Sequence, residues 1–183
     1  QASYICAADA PAGQCTPQVA MARLKDEYNR TNVPLAQVPE PVVNAVIAME
    51  DRNFYEHDGV VPTAVFRALI QNVKGGGVSQ GGSTITQQYV KTVYLTNERT
   101  IARKIREAIY AVELERELSK EEILQRYLNT VYFARGADGV QAASQAYFLE
   151  DVEDLSLTDA AYLAGLIRSP ETADADRQPR EAY

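Results

Sequence analysis

Ser119-Lys120-Glu121-Glu122-Ile123-Leu124-Gln125-Arg126-Tyr127-Leu128 is the stretch on which the fold class turns. Ser119 and Glu122 stand three apart, the spacing at which a hydroxyl and a carboxylate cap each other's backbone N–H groups at a helix start. Behind them Ile123, Leu124, Tyr127 and Leu128 recur at helical spacing, so one face is apolar. Similar signals lie elsewhere along the chain. Ser156-Leu-Thr-Asp159 opens the apolar run from Ala160 to Ile167, and Thr84-Ile-Thr-Gln87 marks another start. Pro41 opens a segment in which Val42, Val43, Val46 and Ile47 recur at helical spacing, and Pro17 opens one through Tyr28. Strand-like alternation is scarce, so the chain is expected to be mainly α.

With 183 residues, 46% of them hydrophobic, the chain suffices for one core; a domain of this size buries about 68–70% of its extended surface. Eighteen Lys and Arg against 25 Asp and Glu give a formal charge of −7. That balance argues against a non-specific nucleic-acid binder, which needs a basic face to release counterions. An anionic ligand must meet a local basic cluster instead. No apolar run reaches the length of a membrane span, and Gln1 does not begin a signal peptide. Cys6 and Cys15 flank a loop containing Pro11 and Gly13; they suit a disulfide in an oxidising compartment and two thiols in a reducing one. The single histidine, His57, and the absence of a C-x-x-C pair disfavour zinc. The expected organisation is an N-terminal segment with a short helix over 1–39, a main domain over 40–170 and a polar tail over 171–183. The glycine-rich stretch from Gly75 to Gly82 reads as flexible, separating two lobes or forming a flap.

Three clusters carry candidate chemistry. Glu50-Asp-Arg-Asn-Phe-Tyr-Glu-His57-Asp-Gly59 follows directly on the Val42 to Met49 helix. Acids at a helix C-terminus oppose its dipole, so Glu50 and Asp51 cost stability there unless a ligand or basic partner compensates. Composition alone favours a solvated acidic turn, with Phe54 in the core and His57 hydrogen-bonded. Gly81-Gly-Ser83-Thr84-Ile-Thr-Gln-Gln88 is a glycine turn entering a helix. Its free N–H groups favour an anion such as pyrophosphate, although a plain helix cap is the commoner use. In Arg99 to Glu115, Ile101, Ile105, Ala108, Ile109 and Val112 form one apolar stripe. Arg103 and Glu107 fall on roughly the opposite face. Taken alone that pair is an exposed ion pair, worth about 0.3–0.5 kcal/mol. Between the first two clusters, Val60 to Ile70 is an apolar helix candidate edged by Arg67 and Lys74, suited equally to core packing and to membrane docking.

Together and in this order, these segments resemble the glycosyltransferase domain of class A penicillin-binding proteins and their monofunctional relatives, glycosyltransferase family fifty-one. The family pattern E-D-x-x-F-x-x-H-x-G is matched from Glu50 to Gly59, and G-G-S-T-I-T-Q-Q from Gly81 to Gln88. R-K-x-x-E is matched at Arg103, Lys104 and Glu107, with Ala111, Leu114 and Glu115 following. Lys120 through Asn129, Tyr132 and Phe133 is similar to the fourth block, and Leu155 through Pro170 to the fifth. The resemblance covers roughly residues 40 to 170. Ala134 stands where the family usually has the glycine of Y-F-G, Leu149-Glu150 replaces a common Gly-Lys, and Thr92 replaces an asparagine.

The resemblance implies a lysozyme-like, two-lobed helical domain with a cleft, acting on lipid II and the growing lipid-linked glycan chain. The acceptor GlcNAc 4-hydroxyl would attack the anomeric carbon of the donor MurNAc, inverting α to β and releasing undecaprenyl pyrophosphate. Glu50 is the expected base, since a carboxylate with a reference pKa of about 4.3 is ionised at neutral pH. Arg103, Lys104 and Lys91 are expected to neutralise the pyrophosphate, or a divalent cation, magnesium or manganese, to do so near Asp51 or Glu107. Glu107 is expected to assist acid chemistry or orient Arg103. Ser83, Thr84 and Gln88 are expected to bind the donor, with Asp51, Phe54, His57, Asn129 and Tyr132 completing the site. The resemblance further implies the extracytoplasmic face of the bacterial cell membrane, an anchor outside this stretch of chain, contact with the membrane surface and a transpeptidase domain in the full-length protein. A lysozyme-like muramidase and a catalytically silent glycan-binding module are the alternatives. Hydrolysis, however, has no pyrophosphate for the glycine turn and Arg103-Lys104 to bind.

Overall fold

The computed structural model describes residues 3–5, 22–24, 31–62, 82–95 and 100–168. It is mainly helical, with α1 (Glu40–Glu50), α2 (Ile85–Tyr94), α3 (Ile101–Glu117), α4 (Lys120–Leu128), α5 (Val140–Phe148) and α6 (Leu157–Arg168). Short 3-10 turns at Leu35–Gln37 and Val152–Asp154 lead into α1 and α6. β1 (Ser3–Ile5) and β2 (Ala22–Leu24) pair antiparallel, Ser3 opposite Leu24 and Ile5 opposite Ala22.

That pair corrects one expectation. The helix anticipated from Pro17 through Tyr28 in the 1–39 segment gives way at residues 22–24 to a strand. A short helix is marginal because its nucleus fixes several residues for one hydrogen bond, and pairing with Ser3–Ile5 satisfies the same backbone groups across a ladder. Cys6, Cys15, nearly all of the Val60 to Ile70 candidate, the glycine run up to Gly81 and the tail beyond residue 168 lie outside the described residues.

Helix starts fall where the caps place them. Pro41 sits in the first turn of α1. At α2 the Thr84 hydroxyl accepts from the Gln87 N–H at 3.1 Å while the Gln87 side chain accepts from the Thr84 N–H at 3.0 Å. Ser119 and Glu122 make the same exchange at α4, at 3.2 and 2.9 Å. Ser156 and Asp159 repeat it ahead of α6, at 3.3 and 3.0 Å. The core then assembles as α1 packs along α6 and α2 lies against α3 and α4. Val42, Val46, Ile85, Leu124, Leu163 and Leu166 are completely buried, each such side chain contributing about 1.5–3 kcal/mol relative to exposure.

Helix α3 is oriented against its own pattern. An apolar stripe normally faces the core, yet Ile101, Ile105 and Ile109 are 64%, 57% and 50% exposed while Glu107 is 1% exposed. The Arg103–Glu107 pair is therefore not the exposed surface pair that helical spacing suggested. Burial of Glu107 is sustained by polar satisfaction: Arg103 and Lys104 both meet it there, as a buried carboxylate requires.

Two glycines and two substitutes for glycine shape the loops. Gly59 has φ +85°, and a Cβ there would lie 2.6 Å from the Ala111 carbonyl oxygen, so its lack of a side chain lets the Glu50–Gly59 loop rest on α3. Gly139, at φ +88° before α5, packs equally tightly on Asn129. Ala134 and Leu149, the positions where the family pattern carries glycine, adopt φ +64° and +61°. Both residues hold the left-handed conformation that glycine adopts without strain.

Candidate active site

Glu50 is the last residue of α1, and among the described residues its carboxylate is held from one side only. Its Oε2 accepts a 2.7 Å hydrogen bond from the Gln88 side-chain amide on α2. Its Oε1 is buried and has no hydrogen-bond partner. A buried acceptor left unpaired costs about 1–3 kcal/mol, so such atoms in native structures call for a reason.

Asp51, next along the chain, has the partners that the dipole argument demanded. Its Oδ2 accepts from the Ile85 N–H at 3.0 Å and meets His57 Nε2 at 2.9 Å. The carboxylate that opposes the C-terminus of α1 thus sits at the N-terminus of α2, where the dipole favours an anion. His57 Nδ1 in turn accepts from the Gly59 N–H at 3.1 Å, which assigns the ring proton to Nε2. The Thr84 hydroxyl donates to the Gly59 carbonyl at 2.6 Å, closing the loop onto the start of α2. Phe54 is fully buried beneath this loop, with the Lys120 ammonium 4.6 Å from its ring centroid.

The third cluster joins from α3. Glu107 is paired with Arg103 at 2.9 Å and also contacts Lys104. The Lys104 ammonium reaches the Ser83 hydroxyl at 2.8 Å, tying α3 to the turn before α2. Two cations on one carboxylate leave one positive charge uncompensated within the trio. Arg103 and Lys104 also stand in the first turn of α3, where the helix dipole disfavours cations.

Glu50, Asp51, His57, Ser83, Thr84, Gln88, Arg103, Lys104 and Glu107 are therefore brought together through hydrogen bonds. The remaining expected site residues lie apart from that network. Lys91 is exposed in the last turn of α2. Asn129 is buried, donating to the Val33 and Gln125 carbonyls at 2.8 Å each and accepting from the Val33 N–H at 2.8 Å. Tyr132 lies in the 131–139 loop, bridged to Asp138. A cavity of about 380 Å³ beside Val33, Gln125 and Asn129 does not include Glu50, and those polar groups are already paired.

A divalent cation at Asp51 or Glu107 would have to compete with partners already in place. Glu107 is matched with two cations and Asp51 with a helix N–H and His57. Among the described residues no three carboxylate, imidazole or thiolate side chains gather as a ligand set.

Two residues outside the expected site set join these networks. The Tyr127 hydroxyl donates to Gln88 Oε1 at 3.0 Å, although its place in an apolar stripe marks it only as core. Burial, then the negative charges of Glu50 and Asp51, push its phenol well above the ordinary tyrosine value. Glu115 accepts from the Thr86 hydroxyl at 2.5 Å and from Lys120 at 2.8 Å, and Lys120 also reaches the His57 carbonyl at 2.5 Å. This second network staples α2, α3 and α4 to the Glu50 loop.

A family model described as transglycosylase matches residues 17–183. The chain is 47% identical over 153 residues to penicillin-binding protein 1A of Aquifex aeolicus, a match covering 84% of this chain and 21% of that protein. It is 44% identical over 144 residues to penicillin-binding protein 1F of Bacillus subtilis, covering 79% and 20%. Against penicillin-binding protein 1A of Mycobacterium tuberculosis it is 47% identical over 161 residues, covering 86% and 20%. The chain spans about a fifth of the length of these relatives. Among the described residues no helix is long and apolar enough to cross a membrane.

Proposed function

The chain belongs to the transglycosylase family, and from that premise we propose that it polymerises lipid II into β-1,4-linked glycan, with Glu50 as general base. Glu50 Oε1, buried and without a partner, carries the proposal. As the acceptor GlcNAc 4-hydroxyl attacks the donor anomeric carbon, its proton passes to Oε1. The new C–O bond forms on the face opposite the leaving group, the bond from that carbon to pyrophosphate breaks, and the electron pair leaves with undecaprenyl pyrophosphate.

Negative charge grows on the leaving pyrophosphate, and Arg103 and Lys104 supply the charge to meet it. Glu107 orients both cations and leaves them one net positive charge, so its role is placement and not proton transfer. Ser83, already touching Lys104, adds a hydroxyl at the same end of the site, and exposed Lys91 lies further along α2. Asp51, His57 and Thr84 hold the loop and the helix start together, and Phe54 supports them from below. Asn129 fixes the 33–35 strap to α4, while Tyr132 offers a partly exposed ring to the glycan. The substrate places the domain at the extracytoplasmic face of the membrane, in a full-length protein that also carries a transpeptidase domain.

Glu50→Gln tests the assignment, because glutamine keeps the reach of the side chain but takes no proton. Polymerisation of purified lipid II, read as chain length on a gel, should fall by about 10²–10⁴-fold, the usual contribution of a positioned base. Wild-type chain extension by a folded Glu50→Gln protein would remove Glu50 as the base.

A further inference from the structure

Among the described residues Glu50 reaches only one hydrogen-bond donor, and that donor is itself held in place. A carboxylate can only accept, so Gln88 must turn its NH₂ toward Glu50 Oε2, 2.7 Å away. The amide oxygen then faces the Tyr127 hydroxyl at 3.0 Å, which must donate. The reversed amide would set two acceptors against each other at the glutamate. Tyr127 thereby fixes which way Gln88 points, across elements separated by 38 and 39 residues in sequence.

We infer that Tyr127 is a positioning residue: acting through Gln88, it holds Glu50 by Oε2 and reserves the buried Oε1 for the proton. This rests on the reading of Glu50 as the base. Tyr127 is 2% exposed, and its hydroxyl is spent on the Gln88 amide oxygen. Its phenol, pushed up by burial and by Glu50 and Asp51, keeps its proton and stays a donor throughout the working range of pH. Without that donor the Gln88 amide is free to turn, and Glu50 loses the one bond that favours its charged form and fixes its rotamer.

Among the described residues, charged groups on the elements around Glu50 point to other partners or to solvent, apart from the Arg103 Nε, which is buried and unpaired: Arg52 donates to the Ala48 carbonyl, Glu56 accepts from Asn53, and Lys91 on α2 is exposed. On its own loop Asp51 and His57 satisfy each other. On α3 the Arg103–Lys104–Glu107 trio is internally paired. On α6, packed along α1, Asp159 and Arg168 stand near opposite ends. None of them donates a hydrogen bond to the Glu50 carboxylate.

The test is the kinetics of Tyr127→Phe in the 183-residue chain with lipid II in detergent as substrate. Because the lost bond favours a charged group, kcat should drop about 10- to 100-fold, with KM for lipid II nearly unchanged. The acid limb of the kcat/KM profile should move to higher pH, which a merely loosened core would not cause. Gln88→Met breaks the same link on a half-buried side chain and serves if Tyr127→Phe does not fold. Combining both changes should cost little more than one, since each cuts the same chain. Wild-type kcat and an unmoved acid limb in the folded variants would overturn the relay while leaving Glu50 as base. If Glu50→Gln itself polymerises normally, the base assignment and the relay fall together.

Discussion

Helices α3 and α4 are neighbours in sequence, both amphipathic, and they treat their apolar faces in opposite ways. α4 buries Ile123, Leu124, Tyr127 and Leu128 and opens with a reciprocal cap. α3 exposes Ile101, Ile105 and Ile109, buries Glu107, and opens on a one-way cap, the Thr100 hydroxyl accepting from the Arg103 N–H, with cations in its first turn. One helix follows the rules that stabilise a fold. The other sets them aside where the family's Arg-Lys-x-x-Glu block stands, as is expected of a functional site.

The sharpest way to break that contrast is a pair of truncations. Ile123→Ala on α4 should cost about 2–5 kcal/mol, because the site is fully enclosed and leaves a cavity. Ile105→Ala on α3 should stay within about 0.5 kcal/mol, as expected of a surface position. Thermal or urea unfolding of both variants measures the gap. Equal losses would mean that the isoleucine stripe of α3 is buried in the folded protein after all.

A smaller effect is expected where the chain departs from its family's glycines. Ala134 and Leu149 sit at φ +64° and +61°. A side chain in that region costs about 1–2 kcal/mol, against which glycine loses about 0.4–1 kcal/mol through a freer unfolded state. Ala134→Gly and Leu149→Gly should each therefore stabilise by up to about 1 kcal/mol, raising Tm by about 2–4 °C for a chain of this size. Leu149 is 85% exposed and loses no packing, so it is the cleaner of the two. A drop in Tm for Leu149→Gly would show that the left-handed turn after α5 carries no strain.

What was legible in the sequence was local. The capping pairs Thr84–Gln87, Ser119–Glu122 and Ser156–Asp159 are three residues apart and make their bonds within one turn. Periodicity likewise identified α3 as amphipathic, but which face turns inward involves contacts beyond the helix, such as that of Lys104 with Ser83, 21 residues away. The mismatch of acids at the end of α1 was visible, whereas its remedy, an N–H of α2, lies 34 residues away from Asp51. Tyr127 was hidden for a different reason: a tyrosine in an apolar stripe looks the same whether its hydroxyl is idle or directs Gln88.

The finest distinction between α3 and α4 lies in their first turns. Glu122, at the third helical position of α4, accepts from the Ser119 backbone N–H, and its hydroxyl partner adds to this, holding the carboxyl below its usual value. A depressed carboxyl contributes stability above its unfolded value, and that contribution is lost as pH falls through the folded value. At α3 the corresponding position is Arg103, which gives no such return bond. Glutamine also completes a capping box, so Glu122→Gln removes the charge and keeps the cap. Tm of the variant should therefore fall slightly below wild type at pH 7, and the gap should narrow toward pH 3 as the folded carboxyl takes up its proton. Ser119→Ala should instead lower Tm at both pH values, by the equivalent of about 0.5–2 kcal/mol for a lost N-cap. A Glu122→Gln gap that persists unchanged at pH 3 would assign the effect to side-chain packing and remove the charge from the account of how α4 begins.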